Sequence, residues 1–428
     1  MRVRAATEKR QVQMVEPHRL AVVGVGNMGA RHARVVADSP RAELVQVMDT
    51  DAERAAAAAA HYGATAIGSV TEIEADAVVV AVSTDRHTDV VLPLLNRGIP
   101  LLIEKPVAQH FGEVQLVVGL ASALDVPVMC GFVERHNAVV QTVRTMLDGP
   151  ILHLTAVRHS PPAPQIEASV VSDLLIHDVD LAIQLLGDQI DPAADPAVSG
   201  AVARGPSGAS WSEIADCTVA FADGSVATFS SSRLSQRKVR SMSICTERSL
   251  YELDLLRQDL TVYRHVAEGN GSSADYRSET VIEIPFVRSR GEPLACQLDQ
   301  FCDLLSGRVE ASGELARMLL PHRIAHTVES MTDLPMDSHR PLYGDEMVTW
   351  IDDELATVHA PGTVELTNFG RVELLSDPGA AFGASTVDVV SPGTAVRFEI
   401  DLNVTRERHR ATGALFTKAD GRLVTGAV

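Results

Sequence analysis

The strongest constraint on this chain is a strand, a glycine turn and a helix in that order near its start. Arg19-Leu-Ala-Val-Val-Gly24 is a short apolar run rich in β-branched residues. Gly24-Val-Gly26-Asn27-Met28-Gly29 follows at once, and Ala30 to Ala37 has helix-forming composition. In that setting a G-x-G-x-x-G turn builds a dinucleotide site. Gly24 permits the tight turn, Gly26 lets the backbone approach a pyrophosphate, and Gly29 lets helix and strand pack closely. Backbone N–H groups of the loop, with Asn27 and Met28 opening the helix, then hold the phosphates at the positive end of the helix dipole.

The alternation continues as a doubly wound domain requires. A second strand, Ala42 to Met48, ends at Asp49, where an acidic residue binds the adenosine ribose hydroxyls. An anion there repels a 2′-phosphate, so NAD is favoured; Arg54 nearby leaves NADP open. The competing role for Asp49 is a helix N-cap for the alanine-rich segment 51–61. Asp76 to Val82 reads as a buried parallel strand, and Ser83, Thr84 and His87 follow it at the ligand-binding edge. A helix over 88–97, a strand over 99–103 running into Glu104-Lys105-Pro106, a helix over 112–124 and a strand over 126–130 complete the pattern.

A net charge of -19 argues against a nucleic-acid surface but leaves room for a locally basic pocket. Five scattered cysteines without a C-x-x-C pair suit reduced thiols in the cytoplasm better than disulfides or zinc. No apolar run reaches membrane-spanning length, and residues 1–17 read as a disordered extension.

The Rossmann opening, Glu104-Lys105-Pro106 after a strand, Gly131-Phe-Val-Glu-Arg135-His-Asn137 after the sixth strand, and Ser172-Asp173-Leu-Leu-Ile-His177-Asp-Val-Asp180 occur in order. Together they resemble the Gfo/Idh/MocA oxidoreductase family from about residue 18 to about residue 332, and the nucleotide-sugar branch within it. The resemblance implies an NAD(P)-dependent dehydrogenase with Lys105, Asp173 and His177 as catalytic residues and Glu104 and Lys105 beside the cofactor. It also implies no metal and a sugar substrate, with Arg135 and Asn137 either lining the substrate side or capping the helix over 138–147. Lys238 and Arg240, read as two apart on one strand face, suit a diphosphate. Gln236 and His136 depart from the branch pattern, and Leu174 and Leu175 replace a smaller stretch, which leaves the sugar open.

Hydride transfer from a secondary alcohol needs a base for the hydroxyl proton and a donor for the developing alkoxide. Lys105, at the end of a sheet strand, can reach the nicotinamide end. His177 titrates near neutral pH, and Asp173, four residues before it on one helical face, could orient substrate or fix the histidine tautomer. Asp173, His177, Asp178 and Asp180 cannot all face one point on a helix, which disfavours a metal site.

The fold expected is α/β plus α+β. It comprises a Rossmann domain over 18–137, a substrate and oligomerisation domain with a mostly antiparallel open sheet over 138–332, and a linker with a small β-rich domain over 333–428. Stretches 187–212 and 267–280 read as mobile loops, and helices are expected over 293–305 and 312–331. The open sheet suggests a homodimer or homotetramer. A free polyol such as inositol is the alternative substrate, and a redox-silent NAD-binding regulatory or carbohydrate-binding protein the alternative class.

Overall fold

The computed structural model describes residues 16–331 apart from 164–165, 192, 206–209, 269–276 and 289–290; beyond 331 it describes only strand backbone between 333 and 425. The chain divides into two compact units, Met1–Met336 and Asp337–Val428.

Six parallel strands open the first unit: β1 (His18–Val23), β2 (Ala42–Met48), β3 (Thr65–Ile67), β4 (Ala77–Val80), β5 (Leu101–Ile103) and β6 (Val128–Cys130). Their order is β3-β2-β1-β4-β5-β6. The order reverses between β1 and β4, so a ligand crevice opens beyond the C-terminal ends of those two strands. All four residues of β4 are 0% exposed, which is why it reads as an unbroken apolar run rather than an alternation.

Helices α1 (Asn27–Asp38), α2 (Ala52–Tyr62), α3 (His87–Asn96) and α4 (Phe111–Ala123) connect these strands. Asp51, not Asp49, caps α2, accepting from the Glu53 and Arg54 N–H groups. The alanine run then packs little more than Ala55 and Ala59 into the core.

A 3-10 turn over Val133–His136 leads into α5 (Ala138–Met146), and the chain then builds a second sheet. Its strands are β7 (His153–His159), β8 (Ala197–Ala203), β9 (Ile214–Ala220), β10 (Val226–Ser232), β11 (Val239–Cys245), β12 (Ser249–Asp254), β13 (Asp259–Glu268), β14 (Arg277–Glu283) and β15 (Asp333–Leu334). The order is β14-β13-β12-β11-β7-β10-β9-β8-β15, antiparallel except for β7/β10 and β8/β15. One face buries Leu154, Ala156, Ala227, Phe229, Met242 and Ile244, and α6 (Ile176–Leu186) and α8 (Ala311–Glu329) lie on it.

Between β7 and α6 the chain makes one π-helical turn, Val171–Leu175. Helix α7 (Pro293–Leu305) returns to the first sheet, where Leu294, Leu298, Phe301 and Cys302 join Leu20, Val22 and Val36 in one cluster. Arg34 with Glu292 and Arg41 with Asp303 pin the same contact at its rim.

Two expected loops are corrected. β8 lies inside 187–212 and β14 overlaps 267–280, while 206–209 and 269–276 of those stretches lie outside the described residues. β8 is Ala-Val-Ser-Gly-Ala-Val-Ala, so small residues hide its alternation. Gly200 is there because a Cβ would stand 2.2 Å from the Asp216 carbonyl of β9.

The second unit is one seven-stranded antiparallel sheet: β16 (Leu355–His359), β17 (Thr363–Leu366), β18 (Gly370–Leu374), β19 (Ser385–Ser391), β20 (Thr394–Ile400), β21 (Leu415–Thr417) and β22 (Leu423–Thr425). The strands follow one another in chain order. This is a β-rich unit built from consecutive hairpins.

Candidate active site

The glycine loop lies between β1 and α1 at the reversal of strand order. Gly24 has φ +85°, and a side chain there would meet the Ala81 carbonyl at 2.6 Å. A Cβ on Gly29 would fall 1.6 Å from the Gly24 carbonyl, so α1 can approach the turn only because that residue is glycine. Gly26, in contrast, faces open space, with no atom within 4 Å of a Cβ position. Asn27 and Met28 begin α1, whose N-terminus has no side-chain cap. The loop therefore offers uncapped N–H groups and room beside them, which fits the phosphates of a dinucleotide.

Asp49 supports that loop from below. Its Oδ2 accepts from Val25 N at 2.8 Å and its Oδ1 from Asp51 N at 2.9 Å. Arg54, left free by the sequence, lies 3.4 Å from Asp49 and 3.0 Å from Asp51, held between two carboxylates. Ser83 is exposed and Thr84 half-buried at the end of β4. His87 is 1% exposed, with Val107 O 3.2 Å from Nδ1 and Val82 O 3.2 Å from Nε2. Burial lowers its pKa, so the neutral ring donates to one carbonyl at a time.

Lys105 follows β5 at the same sheet edge, and the Lys105–Pro106 peptide is cis. Its Nζ donates to the Asp173 carbonyl at 2.8 Å and to Asp173 Oδ1 at 3.1 Å. The other oxygen, Asp173 Oδ2, accepts from Arg233 Nη2 at 3.0 Å. Burial works to raise the Asp173 pKa, but Lys105 and Arg233 hold it below the usual carboxylate range.

His177, one helical turn further, is 8% exposed. Its Nδ1 is buried without a hydrogen-bond partner, and Phe132 stands edge-on at 6.4 Å. Burial first, then Lys105, Arg158 and Arg240, push its pKa well below the ordinary histidine value, so it is neutral at pH 7. Lys105, Asp173 and His177 thus converge. Of the two roles expected for Asp173, the one that fixes the His177 tautomer is not formed: the carboxylate of the π turn bonds Lys105 and Arg233.

A second ring of charge surrounds His177. Arg158, 1% exposed on β7, grips Asp178 at 2.7 Å and Glu134 at 2.9 Å. Arg240 on the neighbouring strand donates to the same Glu134 oxygen at 3.0 Å. Lys238 stands immediately before β11, two residues ahead of Arg240 on that strand. Lys238 is exposed and forms no ion pair among the described residues. Arg240, burial, Arg158, and Arg31 of α1 disfavour its charge.

Of the two roles expected for Arg135 and Asn137, Asn137 takes the helix-capping one and Arg135 is turned inward. Arg135 donates to Asp180 at 2.8 and 2.6 Å, meets Glu314 at 3.3 Å and covers the Phe132 ring at 4.9 Å. Asn137 caps α5 by accepting from Val139 N, and donates to Leu255 O at 3.0 Å. Arg158 and Arg233 carry no local signal in the sequence, and Asp178 and Glu134 stand there only within motifs, because nothing local distinguishes a paired buried charge from an exposed one. Among the described residues no group of three or more His, Cys, Asp or Glu side chains could hold a metal, and no helix is long and apolar enough to cross a membrane.

Residues 18–132 match the oxidoreductase family profile with an NAD-binding Rossmann fold. The chain carries the NAD-binding domain of the Gfo/Idh/MocA oxidoreductase family. It is 28% identical over 297 residues to the UDP-N-acetylglucosamine 3-dehydrogenase of Acidithiobacillus ferrooxidans, covering 67% of this chain and 88% of that protein. The solved structure of that enzyme superimposes with a TM-score of 0.64 at 26% identity, over 74% of this chain and 97% of that one. The inositol 2-dehydrogenase of Leifsonia xyli is 32% identical over 184 residues, 40% of this chain, which spans about half (54%) of that relative's length. The cofactor of this oxidoreductase domain is NAD.

Proposed function

We propose that this chain oxidises a ring hydroxyl of a nucleotide-linked sugar, at C3 of a UDP-N-acetylhexosamine-like substrate. The observation that carries the reading is the meeting of Lys105, Asp173 and neutral His177 at the crevice edge beside the glycine loop. The extent of the match to a UDP-N-acetylglucosamine 3-dehydrogenase, 88% of that protein, favours a nucleotide-linked sugar over a free one.

NAD, held by the Gly24–Gly29 loop with Asp49 beneath it, supplies the hydride acceptor when bound. The residues of this chain handle the proton. His177 is uncharged, and the nearby cations Lys105, Arg158 and Arg240 disfavour its protonated form, so a proton it takes from the substrate hydroxyl is released to solvent water. The Lys105 ammonium, fixed by two hydrogen bonds to Asp173, steadies the oxygen as it gains charge. Asp173 keeps the lysine in place and Arg233 keeps Asp173 ionised. Lys238, exposed and without a pairing carboxylate among the described residues, takes the diphosphate, with Arg240 behind it. The half-buried, polar outer face of the second sheet is where a second subunit would pair.

The test is NADH formation with UDP-N-acetylglucosamine and with myo-inositol, alongside UDP binding by calorimetry. NADH from the UDP-sugar and a measurable UDP affinity are expected. Turnover of myo-inositol with no UDP binding would replace this reading with a free-polyol dehydrogenase, which the 32% identity to an inositol 2-dehydrogenase supports. NAD binding without turnover of any sugar would favour the redox-silent alternative.

A further inference from the structure

The turn that carries Lys105 is held by side chains that the reaction itself does not use. Glu104 is 6% exposed, and its Oε1 accepts from His32 Nε2 of α1 at 2.7 Å. Its Oε2 accepts from the Lys105 backbone N–H at 3.1 Å. Gly131 leaves it room, since a Cβ there would stand 2.9 Å from the Glu104 carboxylate. Two residues beyond the lysine, Val107 N donates to His322 Nε2 of α8 at 3.0 Å, and His322 Nδ1 donates to Met318 O at 2.6 Å. The Val107 carbonyl in turn lies 3.2 Å from His87 Nδ1 of α3. All three imidazoles are nearly inaccessible: His32 is 3% exposed, His87 1% and His322 4%.

Three buried histidines from three different helices therefore meet four consecutive residues, Glu104 to Val107. A buried polar ring costs stability unless paired, and an apolar side chain would fill each place more cheaply. Each ring instead places one hydrogen-bonding nitrogen against the backbone or carboxylate flanking one lysine. His32 also stands on the helix whose first turn forms the cofactor loop, so the lysine and the cofactor cradle share a support.

We infer that His32, His87 and His322 are positioning residues that fix the Glu104–Val107 turn and, through it, the Lys105 ammonium opposite Asp173. Small displacements of a reacting group are costly: about 1 Å can remove about 100-fold in rate. Loss of one clamp shifts Lys105 without touching the glycine loop.

The experiment compares His322→Leu and His32→Leu with His322→Gln and His32→Gln in the full chain. Glutamine keeps an amide oxygen that can accept from Val107 N and an amide N–H that can donate to Glu104; leucine keeps only bulk. The leucine variants are expected to lose about 30-fold in kcat with the KM for NAD within about threefold, and the glutamine variants to recover most of that loss. This arm rests on the proposed activity, with UDP-N-acetylglucosamine as substrate. A second arm does not: the rate of acetic anhydride acylation at Lys105, relative to Lys238, read by mass spectrometry. The sequence has only four lysines (Lys9, Lys105, Lys238 and Lys418), so the assignment is direct.

The leucine variants should change the labelling ratio by about fivefold or more, while the glutamine variants stay within about twofold. An unchanged ratio in the leucine variants, with only a lower melting temperature, would make the histidines mere packing and overturn the inference. Glutamine variants as impaired as leucine in labelling would overturn it equally, and they serve if a leucine variant fails to fold. No turnover in the parent protein with the labelling contrast intact would overturn the proposed substrate alone.

Discussion

Two charged clusters, drawn partly from one short stretch of sequence, differ in what they leave open. At Asp180 the carboxylate is sealed: Arg135 bonds it twice, Glu314 pairs with the same guanidinium, and Asp180 is 1% exposed. At Asp173, seven residues earlier, Lys105 and Arg233 share a carboxylate that keeps 25% of its side chain exposed, beside a histidine with an unpartnered nitrogen. The first cluster has nothing left to offer a ligand. The second keeps a cation and an uncharged imidazole at the crevice edge. Asp-x-x-x-His-Asp-x-Asp is thus half site and half scaffold, with the change falling after His177.

The contrast predicts opposite failures. Replacing Lys105 by alanine should lower kcat about 1,000-fold or more, worth about 4 kcal/mol of transition-state stabilisation, while the melting temperature moves little. Replacing Asp180 by alanine leaves buried Arg135 with Glu314 as its one carboxylate partner among the described residues and should cost about 3 kcal/mol of stability, with kcat per folded molecule nearly unchanged. Steady-state kinetics and urea melts on both variants separate the two outcomes. A stable but inactive Asp180 variant would erase the distinction between site and scaffold.

Acid sharpens the comparison at smaller magnitude. Burial lowers His136 and His322 to about 4, and His177 lies well below its ordinary value. Their folded pKa values are depressed, so the unfolded chain binds protons first. Their contribution is whole above about pH 6.5 and is lost as pH falls toward the folded values. Going from pH 7.5 to 5.5 should remove about 1 kcal/mol of stability for each such histidine, read from urea midpoints. Asp178 and Asp180, raised by burial, act in the opposite sense only at lower pH. A stability flat between pH 5.5 and 7.5 would mean these rings are hydrated in solution.

How far the sequence reached follows from the range of each signal. The glycine turn and the apolar strands are local, so β1, β4 and the helix over 293–305 were readable almost to the residue. Small-residue β8 was not, since alanine and glycine carry little strand signal at a covered edge. Arg135 and Arg233 show the limit at the site. Only the fold decides that Arg135, within the Gly131–Asn137 motif, turns inward to Asp180, while Arg233 reaches 60 residues back to Asp173. Of the three histidines around Lys105, His32 and His322 carry no signal in the sequence, and His87 reads only as a cofactor-edge residue, because their partners on the turn lie 20 to 215 residues away.

The smallest expected effect tests the outer rim of the open cluster. Lys238 and Arg240 looked equivalent in sequence, yet Arg240 is tied to Glu134 next to His177, whereas Lys238 is exposed and unpaired among the described residues. Lys238→Ala should raise the KM for UDP-N-acetylglucosamine about tenfold, equivalent to about 1.4 kcal/mol, with kcat within about twofold. Arg240→Ala should reduce kcat as well, because Glu134 loses one of its two guanidinium partners and His177 one of its nearby charges. Salt discriminates further: the Lys238 contribution is solvent-screened and should shrink as ionic strength rises, while that of half-buried Arg240 should persist. If both variants raise KM equally and leave kcat alone, the two cations form one diphosphate pocket and the rim is wider than the structure indicates. If neither changes KM, the anionic group of the substrate sits elsewhere, and the polyol reading gains.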